Sequence, residues 1–511
     1  MLTLLVVAAL LALFYLPRFS LFDHEMRRVN LLSDIQQLGD DGRVRAEVRA
    51  DVADGFVEQR LDTAAVRVKH VAYVDSVPEG MTAIEDFSED DGRRMMDHFY
   101  AALSEAGTRP VRIAYFGDSY IEGDILTAHL RDHLQKIFGG CGVGFVDIHS
   151  ETAGFRTTVA AKAKGWISHN ANDERSQGFR KELQGINGRY YIPTSTAMME
   201  LKCTPGKMGQ RLAKAEVATI YYTAGAGLQL QAAINDEELS PLSSVSGTPD
   251  ISEEVHTIKQ MHIDTIYTVK PDSQNPHGIY TLDTTYTEQE QIVRKGEQSQ
   301  GSITHQTLQG DIVRLRFSVT SGESSRFYGV ALDGKTGIAL DNYSMRASNG
   351  WKLMDIPSET LKAFQQQRPY DLIVLQYGLN IANHKQVDYS WYIRRMKQCI
   401  EYLKVAFPST SILVVSVGDR DERGTDGQYH TMRGIQELVQ FQRKMAADAH
   451  VAFWNLYEAM GGDASLAAMV EQHQANLDYT HINFAGGRHL ATLLYDVLMN
   501  GKENYDKRTN Q

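Results

Sequence analysis

Apolar positions follow two alternating patterns in the segments 106–150 and 335–502. Short apolar runs typical of strands buried on both faces occur at Val111–Phe116, Asp371–Gln376, Ser411–Val417 and Val451–Leu456. Between and after these runs, apolar residues recur at helical spacing, as they do from Leu490 to Leu498. Strands that alternate with helices predict an α/β fold whose parallel sheet is covered by helices on both faces.

The interval 151–334 has a different pattern. Short alternating or β-rich runs replace the helical spacing, and turn formers such as Asn235-Asp236 and Asp333-Gly334 separate them. This rhythm is typical of an all-β sandwich. We therefore expect one α/β domain, formed by 106–150 and 335–502, which is interrupted by an inserted β-sandwich and followed by a tail at 503–511.

The chain begins with an apolar run, Leu2 to Leu16, that is interrupted only by Thr3. A membrane span needs roughly 20 residues, so the run fits a signal peptide or signal anchor over 1–22 better. The alternative is a buried N-terminal helix, because no Lys or Arg precedes the run and no A-x-A site follows it. The polar segment 23–105 is predicted to be a helical N-terminal region.

Composition narrows the function classes. The 511 residues are 42% hydrophobic, enough to build packed cores in more than one unit. The formal net charge is −12 and no Lys/Arg-rich run occurs, which argues against nucleic acid as a partner because phosphate contacts need clustered cations. The three cysteines lie far apart without a CxxC pair, so zinc-binding and thioredoxin-like interpretations are weak.

Two segments carry the residue types of nucleophilic catalysis. Gly117-Asp118-Ser119 directly follows a predicted strand, where a serine is exposed near helix N–H groups that can stabilise an oxyanion. Asp478-Tyr-Thr-His481 precedes the last predicted helix, and a carboxylate three residues before a histidine can reach back to its ring. The simpler interpretations are an ordinary helix-capping turn at Ser119 and capping of the last helix by Asp478 or Asn483.

Two further segments lie at loops beside predicted strands. Gly378-Leu-Asn380 follows the strand Asp371–Gln376, and its amide could donate to a developing oxyanion. Ser348-Asn-Gly350 lies in the loop that re-enters the α/β domain, where a glycine lets the backbone and its N–H approach a substrate closely. Each of these segments could also be a plain polar turn.

In sequence order, Ser119, Gly350, Asn380 and His481 match the four signature residues of the SGNH/GDSL hydrolases, so the chain resembles that superfamily. Asp478 stands at the acidic position of the family's D-x-x-H block. The amino-acid sequences of Gly117–Asp124 and Gln376–Asn380 are similar to those of the corresponding blocks in envelope SGNH proteins of Bacteroidetes. The family's third block usually reads G-x-N-D, but Ile381 replaces the aspartate here, and Tyr120 stands where leucine is common.

The resemblance implies a three-layer, flavodoxin-like SGNH sheet domain and a role for each matching residue. Ser119 would be the nucleophile, His481 the base and Asp478 its orienting acid. The N–H groups of Ser119 and Gly350 and the amide of Asn380 would form the oxyanion hole. The layout is similar to that of peptidoglycan O-acetylesterases, in which a carbohydrate-binding-like sandwich separates the first two blocks.

The expected function is therefore removal of a small acyl group, such as O-acetyl, from a cell-envelope glycan through an acyl-enzyme, without a metal or organic cofactor. An O-acyltransferase using the same site and a non-catalytic glycan-binding protein remain alternatives. The partner is an acylated glycan, peptidoglycan being the leading candidate. The protein is expected in the periplasm, secreted or anchored by its leader, with membrane contact only through an uncleaved leader. Candidate substrate contacts are Asp118, Tyr120, Trp351 and Asp419.

The inserted sandwich is expected to hold the glycan near the catalytic site. Tyr221, Tyr222 and Tyr267 are the aromatic residues that could stack on sugar rings there. Since alternate residues of a strand usually face a core, ordinary packing is the competing interpretation for all three.

Overall fold

The computed structural model describes residues 72–88, 93–150, 153–172, 178–204, 210–242, 303–320 and 324–510, together with the backbone of four further strands. Those four strands belong to one compact unit and the remaining described residues to a second. Apart from the strand Ser20–Leu21, the leader predicted at 1–22 lies outside the described residues. Within the described part of the chain, no helix combines the length and apolar character needed to cross a membrane.

The described strands of the first unit form two antiparallel pairs. Ser20–Leu21 pairs with His24–Glu25, and the long strands Glu254–Thr268 and Ile279–Val293 form a two-stranded sheet of their own. The last two strands lie within the predicted insert 151–334 and pair with each other. The length of these two strands was not expected, because the sequence predicts only short alternating runs in this interval.

The second unit is built around a seven-stranded sheet. Its strands are Tyr73–Val74 (β1), Ile84–Asp86 (β2), Pro110–Gly117 (β3), Gly337–Ser344 (β4), Leu372–Gln376 (β5), Ser411–Val415 (β6) and Ala452–Trp454 (β7). They lie in the order β4-β3-β5-β6-β7-β2-β1, in which the five strands from β4 to β7 are parallel. The strand β2 pairs antiparallel with β7, and β1 pairs antiparallel with β2. The central strands are buried along their length, as their apolar runs predicted.

Eight α-helices of the second unit are Asp97–Ser104 (α1), Thr127–Phe138 (α2), Ser358–Gln367 (α3), Ser390–Ala406 (α4), Arg433–Asp448 (α5), Leu456–Ala459 (α6), Ser465–Glu471 (α7) and Phe484–Thr509 (α8). The chain moves from β3 to β4 in one direction and then from β4 through β5 and β6 to β7 in the other. Because such crossovers are right-handed, this reversal places α2 on the face opposite α3, α4 and α5. Ligand sites of doubly wound sheets lie at the carboxyl ends of the strands where the order reverses, here β3 and β5.

The predictions for the N-terminal region 23–105 and for the C-terminal tail 503–511 differ from the structure. The described part of 23–105 contains β1 and β2 as well as the helix α1, so this region is not wholly helical. The Asp86 carboxylate at the end of β2 accepts from the N–H groups of Met95 and Met96, which joins the strand to the start of α1. The predicted tail at 503–511 is mostly helix, because α8 continues to Thr509 and Arg508 forms an ion pair with Asp97 at 2.6 Å.

A nine-stranded antiparallel sheet occupies most of the chain between β3 and β4. Its strands are Gly144–Val146, Val159–Asn170, Arg189–Cys203, Ala215–Thr223, Gln229–Ile234, Ser240–Pro241, Thr304–Ile312, Arg314–Thr320 and Arg326–Asp333. The sheet begins earlier than 151, since Gly144–Val146 pairs with Arg326–Asp333. It has a hydrophobic core separate from that of the α/β sheet. A carbohydrate-binding role for this part of the chain stays a prediction.

Buried charges join the antiparallel sheet to the α/β sheet. Arg368, at the end of α3, donates to Asp333 of the antiparallel sheet at 2.5 Å and to Asp341 of β4 at 2.6 Å. All three side chains are buried. Removing one partner of such a cluster leaves an uncompensated buried charge, which is strongly destabilising. The cluster therefore fixes the two sheets relative to each other.

Candidate active site

The tight turn after β3 presents Ser119. Gly117 has no room for a side chain, because a Cβ there would lie 2.9 Å from the Ile121 side chain and 3.0 Å from the Gln376 carbonyl oxygen. Asp118 is extended and caps the 3₁₀ helix Ser119–Asp124, accepting from the Tyr120 N–H at 2.9 Å. Ser119 is thus the first residue of a helical turn at the carboxyl edge of the sheet, where it is half-buried.

A chain of hydrogen bonds connects Ser119 to the loop before α8. The Ser119 Oγ lies 3.4 Å from His481 Nε2, and His481 Nδ1 lies 2.8 Å from Asp478 Oδ2. The other Asp478 oxygen accepts from the backbone N–H groups of His481 and Thr480, each at 3.0 Å. The carboxylate is therefore fixed beside the ring, and its bond to Nδ1 favours the tautomer in which Nε2 can accept a proton.

Asp478 does not cap the helix α8. Asn483 is the residue that caps this helix, because its side-chain oxygen accepts from the N–H groups of Ala485 and Gly486 at 2.8 and 3.3 Å. Burial alone would raise the pKa of Asp478, but the hydrogen bonds from the His481 N–H, the His481 ring and the Thr480 N–H hold that pKa below its ordinary value. Asp478 is thus kept ionised against the imidazole.

Gly350 and Asn380 come to the same edge from the loops after β4 and β5. Gly350 has φ of 93°, a conformation that favours glycine, and a Cβ there would lie 2.8 Å from the Met396 sulfur. The Asn380 amide nitrogen donates to Asp118 Oδ2 at 3.2 Å and to the Ser348 carbonyl oxygen at 3.0 Å. The Gly350 N–H donates to Ser348 Oγ at 3.3 Å.

Ser348 therefore accepts hydrogen bonds from both the Gly350 N–H and the Asn380 amide, the two oxyanion donors expected besides the Ser119 N–H. An amide nitrogen has two hydrogens, and both of those on Asn380 are engaged by Asp118 and Ser348. An oxyanion bound here would have to replace the Ser348 carbonyl as the acceptor. This part was not visible from the sequence, in which Ser348 was simply the first residue of a loop segment.

The fold is similar to that of a protein of known structure. A peptidoglycan O-acetylesterase superimposes with a TM-score of 0.57 at 16% sequence identity, over 82% of this chain and 99% of that chain. The chain has the SGNH/GDSL fold. An acetyl xylan esterase (TM-score 0.22, 16% identity, 31% of this chain and 80% of that chain) and a family two carbohydrate esterase from Cellvibrio japonicus (0.23, 7%, 67% and 99%) are also similar, but too distantly to bear on function.

No family model and no curated protein matches the chain. The SGNH assignment of the fold therefore depends on its three-dimensional structure together with the order of the four short motifs.

The loop that carries Asp478 and His481 is clamped by a hairpin of this SGNH domain. The hairpin pairs Asp421–Arg423 with Tyr429–Thr431, and its Asp421 N–H donates to the Tyr479 carbonyl oxygen at 3.0 Å. The Tyr429 and Tyr479 rings stack with their centroids 3.8 Å apart, and Tyr479 has a positive φ of 52°. Because an aromatic residue at positive φ is strained, the surrounding contacts must hold it there. No local sequence pattern links Tyr429 to this loop.

The turn that carries Ser119 is held from the other end by buried charges. Arg131 of α2 and Arg156 both contact the Asp124 carboxylate, at 3.2 and 2.9 Å. Burial opposes ionisation of Asp124, yet these two guanidinium groups hold its pKa well below the ordinary range. Arg156 also donates to the Phe145 carbonyl oxygen of the antiparallel sheet at 2.9 Å. The serine turn of the SGNH domain is thus tied to the antiparallel sheet.

Three of the four candidate substrate contacts are buried. Asp419 is fully buried and accepts from Thr431 Oγ1, Ser465 Oγ and the Leu466 N–H at the start of α7, at 2.8 to 3.0 Å. As placed, Asp419 is not accessible to a substrate and instead joins the hairpin at Thr431 to the start of α7. Tyr120 is also buried, with its hydroxyl against the Met460 sulfur.

Asp118 is likewise buried, and it contacts Asn380 rather than solvent. Trp351 alone among the four is partly exposed. The proposed sugar-stacking residues Tyr221 and Tyr222 of the antiparallel sheet are packed in the cores and cannot bind a glycan as placed. Tyr267 lies in a strand whose side chains are outside the described part of the structure.

Burial of Asp118 has a thermodynamic consequence. Desolvation raises its pKa from 3.8 to about 6, despite the opposing hydrogen bonds from Tyr120 and Asn380. Between these two values the folded protein keeps a proton that the unfolded chain releases, so the stabilising effect of protonation is lost as the pH rises through this window. Two pKa units correspond to about 3 kcal/mol at most.

We predict that Asp118→Asn, which cannot titrate, becomes more stable relative to the wild type as the pH rises from 4 to 7. The change in the stability difference should approach about 3 kcal/mol, measured by urea unfolding at both pH values. Turnover should fall, because Asn380 loses a carboxylate acceptor. An unchanged stability difference at the two pH values would show that Asp118 does not retain its proton in the folded state.

Proposed function

We propose that the protein is a serine esterase that removes a small acyl group, O-acetyl in particular, from a cell-envelope glycan. The observation that carries the proposal is the hydrogen-bonded series Ser119, His481 and Asp478 at the carboxyl edge of an SGNH sheet, with Gly350 and Asn380 beside it. A nucleophile, an oriented base and oxyanion donors are the parts that acyl transfer requires.

In the first step, Ser119 Oγ attacks the acyl carbonyl carbon while its proton moves to His481 Nε2. Asp478 stabilises the imidazolium that forms and holds the ring in place. The carbonyl oxygen becomes negative and takes hydrogen bonds from the N–H groups of Ser119 and Gly350 and from the Asn380 amide, in exchange for the bonds to Ser348. The carbon–oxygen bond to the sugar then breaks, and the sugar oxygen receives the proton from Nε2.

In the second step, water replaces the sugar. Its proton goes to His481 Nε2 while its oxygen bonds to the acyl carbon, and the bond to Ser119 Oγ breaks as the proton returns to the serine. The acid leaves and Ser119 is regenerated. Each step balances without a metal or an organic cofactor.

The openness of the site supports a glycan substrate. The His481 and Asp478 side chains are 40% and 50% exposed, so a polymer could reach them without threading into a tunnel. The similar fold of a peptidoglycan O-acetylesterase supports an O-acetylated glycan and makes peptidoglycan the leading candidate. Action in the periplasm, with membrane contact only through an uncleaved leader, remains part of the proposal because it rests on the segment 1–22.

The proposal is tested by incubating the purified protein with O-acetylated peptidoglycan and, separately, with 4-nitrophenyl acetate, and measuring released acetate. Acetate release from both, beyond that of a Ser119→Ala control, is expected in water alone. Release that appears only when a sugar acceptor is added would indicate an acyltransferase instead. Binding of the glycan without any acetate release would contradict the enzyme proposal.

A further inference from the structure

An aromatic and cationic surface lies directly beside Gly350. Trp351 packs edge-on against Trp391 and Tyr392 of α4, with ring centroids 5.7 and 6.0 Å apart. The Arg395 guanidinium, one helical turn further along α4, lies 5.3 Å from the Trp351 ring centroid. We call Trp351, Trp391 and Arg395 the indole–arginine surface.

This surface is rigidly connected to the candidate oxyanion hole. The inner side of α4 supports Gly350, since Met396 would be 2.8 Å from a Cβ at that position and the Cys399 thiol faces the Gly350 carbonyl oxygen at 3.8 Å. Gly350 and Trp351 are consecutive in the sequence, so the indole is carried by the residue next to the candidate oxyanion donor. A group bound on the surface would therefore be held at a fixed place relative to Ser119.

Packing alone does not explain the surface. Tyr392 is fully buried and fastens the first turn of α4 to the core, whereas its neighbour Trp391 is 39% exposed. Arg395 is also exposed, and no carboxylate in the described part of the chain forms an ion pair with it. The Trp391 indole and the Arg395 guanidinium are therefore both accessible to solvent, and the positive charge of Arg395 is not neutralised by a neighbouring carboxylate among the described residues.

The chemistry of these groups defines a ligand. A large, rigid aromatic surface suits the apolar face of a sugar ring, and tryptophan supplies contact area at a small entropic cost. The planar guanidinium forms paired hydrogen bonds with a carboxylate. We infer that the indole–arginine surface is a subsite for a sugar ring that bears a carboxylate and lies next to the acylated position. This inference rests on the proposed function, because it specifies the glycan that the same site would take.

The test measures binding rather than turnover, so that it does not depend on catalysis. The Ser119→Ala protein is titrated with a disaccharide of N-acetylglucosamine and N-acetylmuramic acid, which has a free carboxylate, and with neutral N,N′-diacetylchitobiose. Tryptophan fluorescence and calorimetry report the dissociation constants. We expect tighter binding of the carboxylated sugar and a change in tryptophan emission with both.

Adding Arg395→Gln should weaken binding of the carboxylated sugar about fivefold and leave that of chitobiose unchanged, as expected for an exposed ion pair. Arg395→Lys should restore part of the loss, since it keeps the charge without the planar fork. Trp391→Ala should weaken binding of both sugars about tenfold. Arg394→Gln removes the adjacent exposed charge of the same helix. It is the matched control, and it should change the affinity for neither of the two sugars.

Equal effects of Arg395→Gln and Arg394→Gln on binding of the carboxylated sugar would show that its tighter binding depends only on the overall positive charge of the helix. That result would overturn the proposed subsite. Equal affinity of the Ser119→Ala protein for the two sugars would overturn it as well. Failure of the proposed esterase activity is seen separately, as missing acetate release from 4-nitrophenyl acetate by the protein with Ser119 intact.

Discussion

Ser119→Ala and His481→Ala are each expected to lower acetyl release by about 10⁶-fold, with the double variant no more than a few times slower than either single variant. The reason is that the 3.4 Å contact between Ser119 Oγ and His481 Nε2 makes one nucleophilic unit of the two side chains. Once either member is lost, the other has no partner, so the second substitution removes little more. The measurement is the steady-state rate on 4-nitrophenyl acetate, with all three variants prepared in parallel.

A fluorophosphonate probe provides an independent reading. It should label Ser119 in the wild type, as located by peptide mass spectrometry, and should fail to label the Ser119→Ala and His481→Ala proteins. Normal turnover by Ser119→Ala would end the assignment of the nucleophile. Additive losses in the double variant would mean instead that Ser119 and His481 contribute to separate steps.

Asp478→Asn is expected to slow turnover by about 10⁴-fold while the protein remains folded. The carboxylate now accepts from His481 Nδ1 at 2.8 Å. An asparagine amide at this position would donate to Nδ1 and leave the proton on Nε2, which faces Ser119 and could no longer accept one. The measurement is the rate on the small ester, together with urea unfolding.

Asn483→Ala is the matched control for Asp478→Asn. Asn483 caps α8 through the N–H groups of Ala485 and Gly486, so its loss should cost about 1 kcal/mol of stability and change turnover only slightly. If Asp478→Asn instead lost stability and kept its rate, Asp478 would be a structural residue of the loop and the base would lack its orienting acid.

Several features of this protein were decided by local sequence. Four of the five parallel strands were visible as short apolar runs because a strand covered on both faces needs apolar residues throughout. The fifth, β4, was not predicted, and its apolar run is interrupted by Asp341 and Asn342. The helices α4, α5 and α8 were visible because each must bury one face, which imposes helical spacing. Ser119 and Asn380 stood out because a site in a doubly wound sheet follows the carboxyl ends of strands. His481 stood out because it lies in the loop before the last helix, three residues after a carboxylate. The short spacing from Asp478 to His481 allowed the carboxylate to meet the ring within one loop.

Other features depended on contacts between residues distant in the sequence. The strands β1 and β2 are two and three residues long, too short to carry a periodic signal, and they exist because the edge of β7 offers hydrogen bonds. The long hairpin of residues 254–293 could not be separated from the antiparallel sheet by pattern, because both alternate in the same way. The candidate substrate contacts Asp118, Tyr120 and Asp419 are buried, because segments distant in the sequence fold over them.

The sequence by itself determined four of the parallel strands, the longer helices and the identity of the groups that could react, because these follow from the periodicity of burial and from side-chain chemistry. The tertiary structure decided which groups meet. Ser119 and His481 are 362 positions apart, and Ser348 engages the Asn380 amide 32 positions away. Hydrogen bonds act over about 3 Å, so their partners are fixed only when packing and buried ion pairs such as Arg156 with Asp124 bring the loops together.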